Sequence, residues 1–349
     1  MYIYKHNNVA FSIATSNIRN NRLRLKVGNA IVDVFKGFLV CDSDNIQFKF
    51  LFTDNIQDFI TDTDFVRVKT IKVGSTQTHF RDNELNFLIY NDNPFKVIVN
   101  VTNNETIKSS LRMFNKAFRN NIEQQVVTFY YRVFLLFSQL WNIQNGLSYL
   151  HSSAVAVNKE SIIFTADSGV GKSSLLFSLS QARNFAFVAD DLAMVSSNSK
   201  VFYQGRSLSI KPYHLKQYPF LMKKLKPLMG FVQKVQWQLL RDNRLTYRIH
   251  PSDLFQKISE SSDIKRVVHL CNHTSLDFRI SDLSAADLIK YTTPILTNEL
   301  FLANHKLDSL ASLPNSPFIN SSTLYKIVSD IYSKAFQNVE IKLVLVPYM

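Results

Sequence analysis

The sequence predicts an α/β (α+β) chain in which a β-rich N-terminal region precedes a core of alternating strands and helices. Three observations predict it. Apolar and polar residues alternate with a period of two through much of the first hundred residues. The period changes to helical spacing between Ile107 and Trp141. Beyond Gly146, strands lead into a glycine-bearing loop and then a helix-compatible run.

In the N-terminal region, Leu23, Leu25 and Val27 alternate with Arg22, Arg24 and Lys26, and Val66 and Val68 with Arg67 and Lys69. Val97, Val99 and Val101 alternate with Ile98 and Asn100. All three runs read as half-buried antiparallel strands. Asn/Asp-rich breaks separate them at 42–45 and 91–94. Ile107, Leu111, Phe114 and Phe118 follow helical spacing, as do Val126, Tyr130, Val133 or Phe134, Phe137 and Trp141. Asn145-Gly146 is a helix stop. Strands are expected at 147–150, 154–157 and 162–165, with a turn at 158–160, and a helix at 174–180. A strand follows at 185–188. Weak helical character from Lys216 to Leu240 is interrupted by Pro219 and Pro227. A strand at 265–270, a helix carrying Leu324, Ile327, Val328 and Ile331, and a strand at 339–346 close the chain. The domain boundaries expected from this are 1–104, 105–146 and 147–349.

Composition excludes several classes. At 46% hydrophobic and 19% charged residues the chain is globular rather than disordered. Two cysteines, Cys41 and Cys271, exclude a disulfide framework and point to a reducing, cytoplasmic setting. Residues 1–8 hold no apolar signal segment. The longest apolar stretch, 126–141, contains Arg132 and Gln139 and is too short to span a bilayer. The net charge of +13 is uneven: the 43 residues from Arg206 to Arg248 carry ten basic residues and one acid, Asp242. That stretch reads equally as a surface for nucleic acid or another polyanion and as a solvated face.

Eight glycines in 349 residues are few, yet Gly169 and Gly171 stand two apart. They lie in Ala166-Asp167-Ser168-Gly169-Val170-Gly171-Lys172-Ser173-Ser174, which fits G-x-x-x-x-G-K-[ST] with Ala166 in place of the first glycine. A β-rich run precedes it and a helix-compatible run follows it, the context this pattern requires. Backbone N–H groups from Ser168 to Ser173 would cradle phosphates, and the glycines would let the backbone approach the anion. Asp167 to Ser174 are therefore the candidate nucleotide contacts. Lys172 would meet the β- and γ-phosphates and Ser173 would ligate Mg²⁺.

Asp190 and Asp191 end an apolar strand 18 residues past Lys172. That interval holds one short helix, a tight loop and a strand, so both carboxylates are expected near the loop. In a regular strand one would face the metal and the other an acceptor hydroxyl. His151, after the apolar run 147–150, is a further candidate. Arg206 and Lys211 read either as a clamp on the transferring phosphoryl group or an acidic substrate, or as surface residues. His269, Cys271 and His273 share a strand face at i, i+2, i+4, but no fourth ligand stands at a usual zinc spacing.

Taken in order, His151-Ser152-Ser153-Ala154-Val155, the 166–173 loop and Val188-Ala189-Asp190-Asp191 resemble the HPr kinase/phosphorylase family. That family shares a nucleotide-binding core with phosphoenolpyruvate carboxykinases. The likeness is closer to the HPr-kinase-like proteins of biosynthetic clusters, including those that phosphorylate lasso peptides. It covers roughly 126–300, with clear motifs only in 147–195. The resemblance implies a P-loop kinase core with a mixed sheet over 147–349, and ATP and Mg²⁺ as donor and cofactor. It implies Ser173 and Asp190 at the metal, Asp191 as the base toward the acceptor hydroxyl, and His151 orienting that aspartate. A homo-oligomer follows by analogy. The family's downstream glycine-rich signature is absent, since only Gly205 and Gly230 follow the loop, so neither HPr as acceptor nor phosphorolysis is implied.

The functional expectation is a Mg/ATP-dependent phosphotransferase acting on a hydroxyl: a serine of a peptide or carrier protein, or a small metabolite. The alternative is a nucleotide-dependent binding or regulatory module whose basic stretch 206–248 holds nucleic acid or another polyanion. A fold member that binds nucleotide without turnover is the third reading, which the intact Lys172, Ser173, Asp190 and Asp191 oppose.

Overall fold

A computed structural model describes the chain except residues 7–8, 43–44, 69, 82–84, 94, 104–105, 183, 241–244, 313–317 and 348–349, and the side chains of 6, 68 and 301–305. Of the sequence expectations, Lys69, part of the 42–45 and 91–94 breaks, the 104/105 boundary, and Arg241, Asp242 and Arg244 of the basic stretch lie outside the described residues.

In chain order the first elements are β1 (Tyr2–His6), β2 (Val9–Asn17), α1 (Asn21–Val34), β3 (Leu39–Val40), β4 (Ile46–Thr53), β5 (Val66–Val68), β6 (Ile71–Val73), β7 (Gln77–Arg81), β8 (Asn86–Tyr90) and β9 (Lys96–Asn100). Helices α2 (Ile107–Asn115) and α3 (Asn121–Phe129) follow, then a π-helical turn (Tyr130–Phe134) and α4 (Leu135–Gln144). The later elements are β10 (Leu147–Val157), β11 (Glu160–Ala166), α5 (Lys172–Leu179), β12 (Ala186–Ala189), β13 (Leu192–Ser196), β14 (Lys200–Phe202) and β15 (Leu208–Ile210). Then come α6 (Pro212–Gln217), α7 (Phe220–Leu225), α8 (Phe231–Leu239), β16 (Tyr247–Ile249), β17 (Ser261–His273) and β18 (Arg279–Asp282). Helices α9 (Ala285–Glu299), α10 (Phe301–Ala311) and α11 (Ser321–Phe336) lead to β19 (Glu340–Pro347). The chain is a mixed α/β protein, and no helix among the described residues is long and apolar enough to cross a membrane.

Two compact units divide it, each assembled from separated stretches. The first holds Met1–Phe137, Gly230–Leu245 and Ala303–Asn320; the second holds Ser138–Met229, Thr246–Leu302 and Ser321–Met349. The basic stretch is thereby shared out, with Lys234 in the first unit and Arg206 to Lys226 in the second.

The first unit carries a nine-stranded sheet in the order β3-β1-β2-β4-β9-β8-β7-β6-β5. It is mixed rather than purely antiparallel, because β2–β4 and β4–β9 run parallel. The crossover from β2 to β4 is helix α1, in the segment where the 22–27 alternation reads as a strand. The reason is legible in the burial. Leu23, Val27 and Ile31 are buried at a spacing of four, whereas Leu25 is 69% exposed. Alternation over six residues contains that i, i+4 pair and so fits both periods. The Asn20 side chain decides the start by accepting the Leu23 N–H at 3.0 Å. Phe11, Phe35, Phe38 and Phe134 form an aromatic cluster beneath the sheet. Helix α2 also departs from expectation: Ile107 and Leu111 are exposed, Met113 is its buried residue, and Phe118 lies beyond its end.

The second unit is built on a mixed sheet in the order β11-β10-β13-β14-β17-β19-β18, with β12 also on β10. Strand β17, 13 residues long, pairs with β14 at its start and runs parallel to β11 and β19 along the rest. Helix α5 starts two residues before the sequence expectation and is anchored by the buried Leu176 and Phe177. Burial of this kind contributes about 1.5–3 kcal/mol per side chain. The breaks expected at Pro219 and Pro227 separate α6, α7 and α8.

Candidate functional site

Strand pairing brings three segments to one end of the sheet in the second unit. Ser152 of β10 is registered with Thr165 of β11, two residues before the loop begins. On the other side of β10, the pairs Ala154–Ala189 and His151–Leu192 place Ser153 and Ser152 opposite Asp190 and Asp191. The 167–171 loop and the Asp190-Asp191 joint therefore flank the same stretch of β10.

The loop runs from the end of β11 into the first turn of α5. Gly169 (φ +90°) and Gly171 (φ +112°) both take left-handed conformations that a side chain would strain. A Cβ added at either would meet nothing within 4 Å, so the space over the loop is open. Asp167, Ser168 and Gly169 are exposed, Val170 is half-buried, and Ser174 sits half-buried in the first turn of the helix. Lys172 is buried, and its Nζ donates to the carbonyls of Ala166 (2.8 Å) and Asp167 (3.0 Å). Burial pushes its pKa down from the usual lysine range, against the pull of Asp191 and Asp190.

Asp190 is 2% exposed. Its Oδ1 accepts from Ser153 Oγ at 2.8 Å and from Ser173 Oγ at 2.9 Å. Burial, and then the neighbouring Asp191, push its pKa up. Asp191 has φ +70°, and the Leu192 N–H bonds back to the Asp190 carbonyl at 2.9 Å around it. This tight turn breaks the alternation that would send two successive side chains to opposite faces. Both carboxylates act electrostatically on Lys172. Asp191 Oδ2 is in direct contact with Arg206 Nη2, a buried guanidinium. Burial alone would raise the Asp191 pKa; Arg206, His151, Lys172 and Lys211 outweigh it and hold the carboxyl below its ordinary range.

His151 is 3% exposed, and among the described residues neither ring nitrogen has a hydrogen-bond partner. Its Nδ1 lies 3.7 Å from Asp191 Oδ1 and 3.8 Å from Glu299 Oε1. Burial and then the Lys172 charge push its pKa down to about 4, so the ring is neutral near pH 7. Glu299, the last residue of α9, also comes within 3.5 Å of Ser168 Oγ. Burial and Asp191 push its pKa up.

The sequence candidates Lys172, Ser173, Asp190, Asp191, His151 and Arg206 thus stand together. Lys211 is half-buried and close enough to act on Asp191 electrostatically. Two further residues stand here to which the sequence assigns no role of their own, Ser153 and Glu299. Ser153 has a signal, since it lies two residues from His151 on the same face of a strand. Glu299 has none: it arrives from a helix more than a hundred residues beyond the loop. His269 does not join Cys271 and His273 in a cluster. It bonds Thr165 Oγ1 at 2.8 Å and stacks on Tyr291 at 5.0 Å, while His273 bonds the Asp277 carbonyl. Among the described residues, three side chains that can share one cation are His151, Asp191 and Glu299, with ligand atoms within 4.8 Å of one another. The open loop, the hydroxyl of Ser173 and the buried carboxylate of Asp190 form a donor set suited to phosphate with a hard divalent cation.

No family model matches the chain, and no curated protein matches it. Among solved structures it is similar to the Hpr(Ser) kinase/phosphatase from Coxiella burnetii. The identity is 14% and the TM-score 0.24, over 46% of this chain and 98% of that one. At those values the function of the chain rests on its own residues.

Proposed function

We propose that the chain is a Mg/ATP-dependent phosphotransferase acting on a hydroxyl, with residues 147–349 as its nucleotide-binding part. One observation carries the reading: Ser173 of the loop hydrogen-bonds Asp190 at 2.9 Å, with Asp191 and its Arg206 and His151 neighbours next to it. Loop, metal-type acid and candidate base are therefore contiguous, as phosphoryl transfer requires.

In this reading Asp167 to Ser174 bind the nucleotide phosphates, with Lys172 leaving its loop carbonyls to meet them. Ser173 and Asp190 would hold Mg²⁺, which would supply positive charge against the phosphates. Asp191, kept ionised by Arg206, accepts the proton as the acceptor oxygen bonds to the γ-phosphorus and the β,γ-bridging bond breaks. His151, neutral and buried, stands 3.7 Å from one Asp191 oxygen, and Arg206 contacts the other. Catalysis of this kind is positioning and electrostatics.

The test is transfer of label from γ-labelled ATP to a fractionated extract, run beside Asp191→Asn. Label in one species with the wild type only supports the kinase. Intact ATP binding in both proteins with no transfer by either would sink it.

A further inference from the structure

Glu299 is a carboxylate in a place where its surroundings disfavour a negative charge. It is the last residue of helix α9, the end at which a helix carries partial negative charge. The carboxylate of Asp191 is within a metal-ligand span of it. Its side chain is 35% exposed, and the partial burial raises its pKa. Acting the other way are Ser168 Oγ of the loop at 3.5 Å, the His151 ring at 3.8 Å, and the charges of Arg206 and Lys172. These are the loop hydroxyl and cations that a phosphate group would use.

We propose that Glu299 is an internal anion competing with phosphate for the loop, and so determines which ligands the loop accepts. The inference rests on the nucleotide reading above. A single phosphate gains too few contacts to displace the carboxylate. A polyphosphate chain, which spans the 168–173 amides and meets Lys172, gains enough. The residue therefore selects nucleoside triphosphates and polyphosphates over inorganic phosphate.

The experiment is calorimetric titration of the full chain with MgATP, tripolyphosphate, inorganic phosphate and adenosine, for wild type, Glu299→Gln and Glu299→Ala. Thermal melts confirm that each variant is folded. The expected result is about tenfold tighter tripolyphosphate and MgATP in both variants, the scale of one like charge removed from a partly screened contact. Inorganic phosphate becomes detectable and adenosine is unmoved. Equal affinities in wild type and variants overturn the inference and leave the nucleotide reading standing. Weaker MgATP in the variants also overturns it and assigns Glu299 to holding the cation. No binding of MgATP or tripolyphosphate by any of the proteins overturns the nucleotide reading and the inference with it.

Discussion

Ser173 Oγ donates to the same Asp190 oxygen that accepts from Ser153 Oγ, so one buried carboxylate ties the loop to the central strand. Ser173→Ala removes one of those donors. It is expected to cost about 1 kcal/mol of stability, the net value of a hydrogen bond. In the proposed function it also removes the magnesium dependence of ATP affinity. Calorimetry with and without Mg²⁺ reads the second effect and thermal melts the first. MgATP affinity that keeps its full magnesium dependence in Ser173→Ala would count against the assignment.

Arg206 sets the acidity of Asp191 from direct contact. If Asp191 is the base, turnover falls as it becomes protonated on the acid side. Arg206→Gln takes away the cation that holds the pKa down, so the acidic limb of the pH–rate profile moves to higher pH. The profile of kcat for wild type and variant checks this; an unmoved limb argues that another group accepts the proton.

His151 and His214 are both buried and both held down to about pKa 4, against a usual 6.5. The unfolded chain takes up these protons below pH 6.5 while the folded chain does not. Stability is therefore full above about pH 6.5 and declines as the pH falls toward 4. His214 packs on Phe177 and accepts the Lys211 N–H at 3.1 Å, away from the acids. His214→Gln is expected to flatten part of that decline, measured by denaturant unfolding between pH 4 and 7.

In the first unit, two neighbours on α1 separate helix from strand. Leu25 is 69% exposed and Val27 fully buried. Leu25→Lys is expected to change stability by less than about 0.5 kcal/mol. Val27→Ala should cost about 1–3 kcal/mol through the cavity it leaves. Equal costs at the two positions would contradict the helix.

Tyr332, fully buried on α11, donates its hydroxyl to the Tyr149 carbonyl on β10. Tyr332→Phe leaves the ring in place and removes the donor, at an expected cost of about 1 kcal/mol. A thermal-unfolding comparison is sufficient to measure it.

The linear order of residues determined the elements whose chemistry is local. Gly169, Gly171, Lys172 and Ser173 specify a strand–loop–helix because left-handed glycines and a helix start are properties of adjacent residues. Pro219 and Pro227 fall in the gaps between α6, α7 and α8, since proline has no N–H with which to continue a helix. Where two periods share the same positions, as at Leu23, Leu25 and Val27, only packing chose, and it chose the helix that carries β2 across to β4. The site divides in the same way. Asp190 and Asp191 could be placed near the loop by counting residues. That Asp191 sits in a left-handed turn with Arg206 on its carboxylate, while Asp190 takes the two serine hydroxyls, was settled by the tertiary structure. Glu299 was invisible, because its approach depends on helix α9 docking in the second unit and leaves no mark in local sequence.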